Sequence, residues 1–189
     1  MTLIRNVVLA CCALALPALA QGTPAAAPAP AQGPTFQSDA ALSVAKVQKE
    51  MVSLEQAIPQ SKFTWRPGKG VRSVSEVYVH AAGAGYWFGK QVGFQVPEGV
   101  QAKMKDLEKS TDKAQIEQAL NDSFTWFSTQ LKAMPDAELN KTVNLMGNDM
   151  SKRAVLLMAL GHYQEHLGQS IAYARMNGVV PPWSKSDKS

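Results

Sequence analysis

Apolar residues recur at alternating spacings of three and four along the chain, which is the period of an amphipathic helix. The two clearest stripes are Val44, Val47, Met51, Leu54 and Ile58, and Ile116, Leu120, Phe124, Phe127 and Leu131. No alternating segment is long enough to predict a strand, and the chain has no internal repeat. The pattern predicts an all-α fold of four helices, which fits a four-helix bundle.

Capping residues and prolines set the ends of these helices. Ser38 is the predicted N-cap of the first helix, and Pro59 ends it. Ser73, with Glu76 three residues later, forms a capping box at the start of the second helix. The four predicted helices cover about residues 39–58, 73–90, 111–134 and 151–177.

The first 20 residues have the composition of an export signal. Arg5 precedes an almost wholly apolar stretch, and Ala18-Leu19-Ala20 has the small-x-small pattern of a signal-peptidase site. Lipidation at Cys11 is the alternative, but it leaves an apolar run of only about four residues before the cysteine. We expect a protein that is periplasmic or secreted and has no transmembrane segment in its mature form.

Four segments follow from this organisation. An Ala/Pro-rich stretch without periodicity predicts a flexible tether after the signal. The ordered domain comes next, and a short polar tail ends the chain. The predicted segments are the signal peptide 1–20, the linker 21–35, the helical domain 36–184 and the tail 185–189.

Charge and cysteine content narrow the function classes. The net charge of +4 is mildly basic, and there is neither a Lys/Arg block nor basic residues interleaved with aromatic ones. Nucleic acid is therefore not an expected partner. Cleavage after Ala20 would remove Cys11 and Cys12, the chain's two cysteines. An exported form would then hold any metal through nitrogen and oxygen alone.

The three histidines of the chain fall where a metal ion would need them. His162 and His166 are four residues apart on the fourth helix and so share one helix face. His80 lies on the second helix, where it could add a third nitrogen and leave one coordination position open. Gln169 and Tyr173 continue the stripe beyond the pair and could bond the second ring nitrogens. Solvated or ordinary core histidines remain the structural alternative.

The segment His162-Tyr163-Gln164-Glu165-His166 also matches the H-x-x-E-H signature of inverted zinc proteases, with Glu165 as general base. That class resembles this chain only locally, because it needs an acidic third ligand well downstream. After His166 the single acid is Asp187, which falls in the polar tail. We therefore interpret the match as coincidence and Glu165 as a residue beside the histidine stripe.

Several of these residues together are similar to a known family. The chain resembles the DinB-like proteins over about residues 36–183. The resemblance is carried by Trp65-Arg66-Pro67, Gly70-Val71-Arg72-Ser73, His80, the run His162-x-x-x-His166-Leu167-Gly168-Gln169-Ser170, Arg175, Gly178, Val179, Pro181 and Pro182. It implies a four-helix bundle with a long crossover between the second and third helices. It also implies a divalent metal, zinc or nickel, on His80, His162 and His166, and it raises the expectation of a homodimer.

The resemblance leaves two function hypotheses. Relatives in the wider superfamily include thiol-cofactor-dependent isomerases and transferases and metal-dependent hydrolases. The first is an exported metal-dependent hydrolase or transferase that acts on a small molecule of unknown identity. In it, Glu165, Gln169 or Tyr173 would orient substrate or relay a proton. The second is a non-enzymatic exported module that binds a metal or a small ligand.

Overall fold

The structure is a computed structural model that describes residues 33–184. The predicted signal peptide, nearly all of the predicted linker and the polar tail lie outside these residues. No helix in the described part of the chain is long and apolar enough to cross a membrane. The main elements are α1 (Phe36–Ala57), α2 (Val74–Gln91), α3 (Val100–Leu107), α4 (Lys113–Ala133), β1 (Thr142–Leu145), β2 (Asn148–Ser151) and α5 (Lys152–Met176). The prediction of a mostly helical fold is confirmed.

The four long helices pack in a ring, because α1 and α2 each contact both α4 and α5. Hydrogen bonds from Gln48 to Asn121 and from Gln56 to Glu117 show that α1 and α4 are antiparallel. The ring contacts of α2 with α5 show the same for that pair. Helices α2 and α4 run in the same direction, since Ser123 and Trp126 of α4 contact Ala82 and Tyr86 of α2 in the same order. The connection between them, residues 92–112, therefore crosses the length of the bundle.

The two predicted apolar stripes form the centre of the core. Every residue of both stripes is buried, with at most 1% of its surface exposed. Burial of side chains of this size stabilises the fold by about 1.5–3 kcal/mol each relative to exposure. The stripes of α1 and α4 therefore form part of the core of the bundle, where Phe124 and Phe127 also contact Tyr163 of α5.

Helix α2 approaches α4 and α5 closely at Gly85. A Cβ at Gly85 on α2 would lie 2.4 Å from Ser123 Oγ and 2.6 Å from the Tyr163 hydroxyl. The same serine donates a 2.6 Å hydrogen bond to the carbonyl of Ala82, which joins α4 to α2. Helices α2, α4 and α5 thus meet closely at a level where a larger residue would not fit.

Three details differ from the sequence predictions. The N-cap of α1 is Thr35, whereas Ser38 is at position N3 and completes the capping box with Thr35. Helix α3 lies within the crossover, where no helix was predicted. A two-stranded hairpin, residues 142–151, precedes α5 where only a polar stretch was expected. Its strands have four residues each, which is too short for an alternating pattern to stand out.

Candidate metal centre

Three imidazoles from α2 and α5 converge at the contact between these helices. The nearest ring nitrogens of His80, His162 and His166 all lie within 4.8 Å of one another. The ring centroids of the three pairs are 4.4, 4.7 and 5.2 Å apart. His166 is buried, with 4% of its surface exposed, and the other two are partly buried. The three histidines are therefore close enough to hold one metal ion.

The spacing within the pair on α5 fits a common ion. The Nε2 atoms of His162 and His166 are 3.2 Å apart. Two imidazole nitrogens bound to one tetrahedral zinc at about 2.0–2.1 Å lie roughly 3.3 Å from each other. A set of imidazoles without thiolates suits zinc, nickel, copper or iron and does not select among them. The residues present thus fit a divalent first-row ion.

A chain of hydrogen bonds fixes the ring of His166. Its Nδ1–H donates to Gln169 Oε1 at 2.8 Å, since an amide oxygen can only accept. Gln169 Nε2 donates to the Tyr173 hydroxyl at 3.1 Å, and that hydroxyl donates to the carbonyl of Arg72 at 3.2 Å. Because Nδ1 carries the proton, the free lone pair of His166 is on Nε2, which faces His162. The chain of hydrogen bonds also joins the last turns of α5 to the residue that precedes the N-cap of α2.

The surroundings of the partly buried histidines favour their neutral form. Burial lowers the pKa of His80 to about 4, and the positive charge of Arg72 acts in the same direction. Burial also lowers the pKa of His162, with a further contribution from His166. Neutral imidazole is the form that binds metals, so both rings are ready to coordinate at neutral pH.

A pocket of about 600 Å³ adjoins the three histidines. His80 and His162 line it, whereas His166 lies behind them. A metal ion on the three rings would therefore face this pocket. The other lining residues are Arg72, Glu76, Val79, Gly83, Ala84, Trp87, Phe88, Met104 and Glu108.

Most of the pocket wall belongs to α2, and α3, His162 of α5 and Arg72 before α2 supply the remainder. Gly83 has no close neighbour on this side, since a Cβ there would meet only the Met104 methyl at 3.8 Å. Trp87 is 43% exposed, as expected for an aromatic side chain on the wall of an open pocket. Trp87 is about two turns after His80 on the same helix, so the sequence alone places both residues on one face of α2.

None of the three candidate catalytic residues lines the pocket. Gln169 and Tyr173 stand behind His166, and neither lines the pocket. Glu165 is exposed on α5 and does not line the pocket either, although its charge acts to raise the pKa of His162. Their catalytic roles remain predictions.

The pocket residues that sequence reasoning missed include Arg72, Met104 and Glu108. Arg72 was part of the family resemblance but was not considered for the site. It directly precedes Ser73, the N-cap of α2, so it lies outside the helix and no helical spacing assigns it to the pocket side. Met104 and Glu108 come from the crossover, whose path no local pattern in the sequence indicates.

The fold and the site define a helical, DinB-like protein with three convergent histidines. The sequence model of the DinB superfamily matches residues 43–170, which is more than half of the chain. The chain therefore belongs to the DinB superfamily, as the resemblance predicted. None of the curated proteins matches the chain in sequence.

Two solved structures show the same fold. One is a DinB-like protein from Bacillus cereus, with a TM-score of 0.66 and 17% identity, over 76% of this chain and 93% of that one. The other is a DinB-like protein from Bacillus subtilis, with a TM-score of 0.59 and 14% identity, over 74% of this chain and 92% of that one. At this identity the two structures support the fold alone.

Proposed function

We propose that this protein is an exported, metal-dependent hydrolase or transferase that acts on a small molecule. The observation that carries the proposal is the convergence of three histidine nitrogens within 4.8 Å beside an open pocket. His80, His162 and His166 would hold the ion, zinc or nickel. When bound, a divalent cation supplies Lewis-acid chemistry, the polarisation of a carbonyl or phosphoryl oxygen.

The residues of the chain divide the remaining tasks. Gln169 and Tyr173 hold the ring of His166, since their hydrogen bonds fix its tautomer and orientation. Trp87 and Phe88 provide an apolar wall that excludes water from one side of the pocket. Glu108, at the end of α3, is an exposed pocket carboxylate and thus a candidate proton acceptor.

One observation favours a second candidate, a non-enzymatic exported module that binds a metal or a small ligand. The other pocket carboxylate, Glu76, is already engaged: one oxygen accepts from Arg66 at 2.9 Å and the other from the backbone N–H of Ser73 at 2.7 Å. Glu165, Gln169 and Tyr173 do not line the pocket. A binding module needs no proton acceptor in the pocket, whereas most hydrolases do.

Export and assembly also belong to the proposal. Arg5, the apolar stretch and Ala18-Leu19-Ala20 support secretion or a periplasmic location by a cleaved signal peptide. Lipidation at Cys11 is the alternative route of attachment. The expectation of a homodimer rests on the family, and the mild net charge supports a small-molecule partner over nucleic acid.

The test separates the two candidates on one preparation. Untagged protein is stripped with a chelator, reloaded with zinc or nickel, and assayed on ester, amide, phosphoester and thiol-transfer substrates. We expect turnover that requires the ion and is lost in His162→Ala. The matched control is Gln164→Ala, an exposed neighbour on the same helix, which should keep full activity.

Thermal unfolding of the same samples provides the second readout. An ion bound only to the folded state stabilises it by about 2.7 kcal/mol at 100 times its Kd. Metal-dependent stability without turnover on any substrate would favour the binding module over the enzyme. If His162→Ala retains metal and keeps the stability response, both candidates lose their shared premise.

A further inference from the structure

The pocket beside the histidines combines an apolar wall with several ionisable side chains. Val79, Ala84, Trp87 and Phe88 on α2 and Met104 on α3 form the wall, and apolar atoms make up most of the exposed lining. A volume of about 600 Å³ is in the range of pockets that enclose small organic molecules. A strongly hydrated ligand would leave this wall without contacts, so an apolar ligand body fits it better.

The guanidinium of Arg72 has no hydrogen-bond or ion-pair partner among the residues that the structure describes. Only the backbone carbonyl of Arg72 is engaged, by the Tyr173 hydroxyl. Arg72 lines the same pocket as His80 and His162, two of the three histidines of the candidate metal centre.

The pocket carboxylates do not offset this cation. Glu76 lies on the first turn of α2, where one of its carboxylate oxygens accepts a hydrogen bond from Arg66 and the other accepts from the backbone N–H of Ser73. Glu108 enters from the end of α3, and no ion pair joins it to Arg72 in the described part of the chain. An unpaired guanidinium beside a site for a divalent cation makes this end of the pocket attractive to anions.

We propose that the pocket selects a small apolar molecule that carries one carboxylate, with the carboxylate on Arg72 and the apolar body against Trp87, Phe88 and Met104. The inference rests on the proposed function and deepens it by giving the substrate class. A guanidinium binds a carboxylate through two parallel hydrogen bonds and so also fixes its orientation. An anion held there places the adjoining substrate atoms next to His80 and His162.

The experiment compares two probes of one shape, 4-phenylbutyrate and 4-phenylbutan-1-ol, by calorimetric titration of the zinc-loaded protein. We expect the carboxylate to bind about tenfold more tightly than the alcohol, because a hydrogen bond to a charged group is worth about 1.4 kcal/mol more. Arg72→Gln should remove this preference. Arg175→Gln, which removes an exposed arginine outside the pocket, is the control for net charge.

A second pair of variants tests where the apolar body binds. Gly83→Leu extends a side chain toward Met104 into the pocket, and we expect it to weaken the binding of both probes by at least about tenfold. Gly161→Leu is the matched control on the exposed face of α5, where a Cβ meets nothing within 4 Å. Leucine has a higher helix propensity than glycine, so neither change should unfold its helix.

The outcomes that overturn the inference are distinct from failure of the proposed function. Equal affinity for the two probes, or a preference that survives Arg72→Gln, overturns it even when the protein carries its full complement of metal. Unchanged binding in Gly83→Leu overturns the placement of the apolar body and thus the inference. Metal is quantified on the same samples, and a protein that takes up none overturns the proposed function and this inference with it.

Discussion

The contact of α1 with α4 and the contact of α2 with α5 lie on opposite sides of the helix ring and are built differently. We call the first the closed contact and the second the open contact. The closed contact includes the two apolar stripes, all of whose residues are buried, and hydrogen bonds between polar residues of α1 and α4. The open contact contains the three histidines and adjoins the pocket. Helices with the same period thus form a closed core on one side and a binding site on the other.

The two contacts also differ in the hydrogen bonding of one buried ionisable residue in each, His166 and Glu55. In the open contact, His166, Gln169 and Tyr173 are joined in one hydrogen-bonded chain. In the closed contact, Glu55 is fully buried near Lys113 of α4, and neither of its carboxyl oxygens has a hydrogen-bond partner in the described part of the chain. A buried polar group without partners destabilises a fold, whereas a connected network can organise a site.

The largest expected change in stability comes from a cavity-forming substitution in the closed contact. Leu120 on α4 is fully buried, so Leu120→Ala should lower the free energy of unfolding by about 2–5 kcal/mol through lost packing and a cavity. Urea unfolding followed by circular dichroism measures the change. The folded fraction should still bind one metal ion per chain, and a loss of metal from folded protein would contradict the separation of the two contacts.

The next effect concerns pH and has opposite signs in the two contacts. Burial raises the pKa of Glu55 to about 7 from the ordinary 4.5 of a glutamate, so its contribution to stability is complete below pH 4.5 and is lost as the pH rises to 7. This loss amounts to about 3 kcal/mol. His80 acts in the other direction: its lowered pKa means that stability is lost as the pH falls from 6.5 toward 4.

Glu55→Gln separates these two contributions. In the presence of chelator, we expect the variant to match the unmodified protein near pH 4.5 and to exceed it in unfolding free energy at pH 8. The loss of stability below pH 6.5 should remain in the variant, because His80 is unchanged. Equal stabilities of the two proteins at pH 8 would show that Glu55 is not held in an unfavourable environment.

The smallest expected effect is on metal affinity and comes from removing one hydroxyl in the open contact. Tyr173→Phe removes the hydroxyl that accepts from Gln169 and donates to the carbonyl of Arg72. We expect metal affinity to fall by about 10–100-fold, as for other residues that orient a metal-binding histidine. Competition with a fluorescent zinc chelator measures this change. Unaltered affinity would mean that the hydrogen-bonded chain does not position His166.

The long helices were predictable because their signals are local. Ser73 with Glu76 marks the start of α2, and Ser151 caps α5 through the backbone N–H of Ala154. Thr35 was missed because it and Ser38 form a reciprocal capping box, so either residue has the type expected of an N-cap. Periodicity and capping chemistry therefore fixed these elements to within a few residues.

The elements that were missed have weak local signals. Helix α3 has eight residues and buries only Leu107, so no apolar stripe marks it. The hairpin turns at Met146 and Gly147, whose φ angles are 52° and 88°. Both angles are positive, as in the common two-residue hairpin turn, but Asn-Gly or Asp-Gly is the usual sequence signal for it.

The site was predictable in part for the same reason. His162 and His166 share a helix face by spacing alone, and the sequence places Gln169 and Tyr173 beside them. The convergence of His80 with this pair depends on how α2 packs against α5, which is a tertiary property. The pocket depends further on the path of the crossover that brings Met104 and Glu108 to it.

Metal stoichiometry tests the central claim most directly. The protein is purified without a histidine tag, equilibrated with zinc, separated from free ion and analysed for metal and protein content. We predict one zinc ion per chain, with little or none in His80→Ala, His162→Ala or His166→Ala and a full equivalent in Gln164→Ala. A wild-type protein that retains no zinc, nickel or other divalent ion, or histidine variants that bind as much as the wild type, would contradict the account.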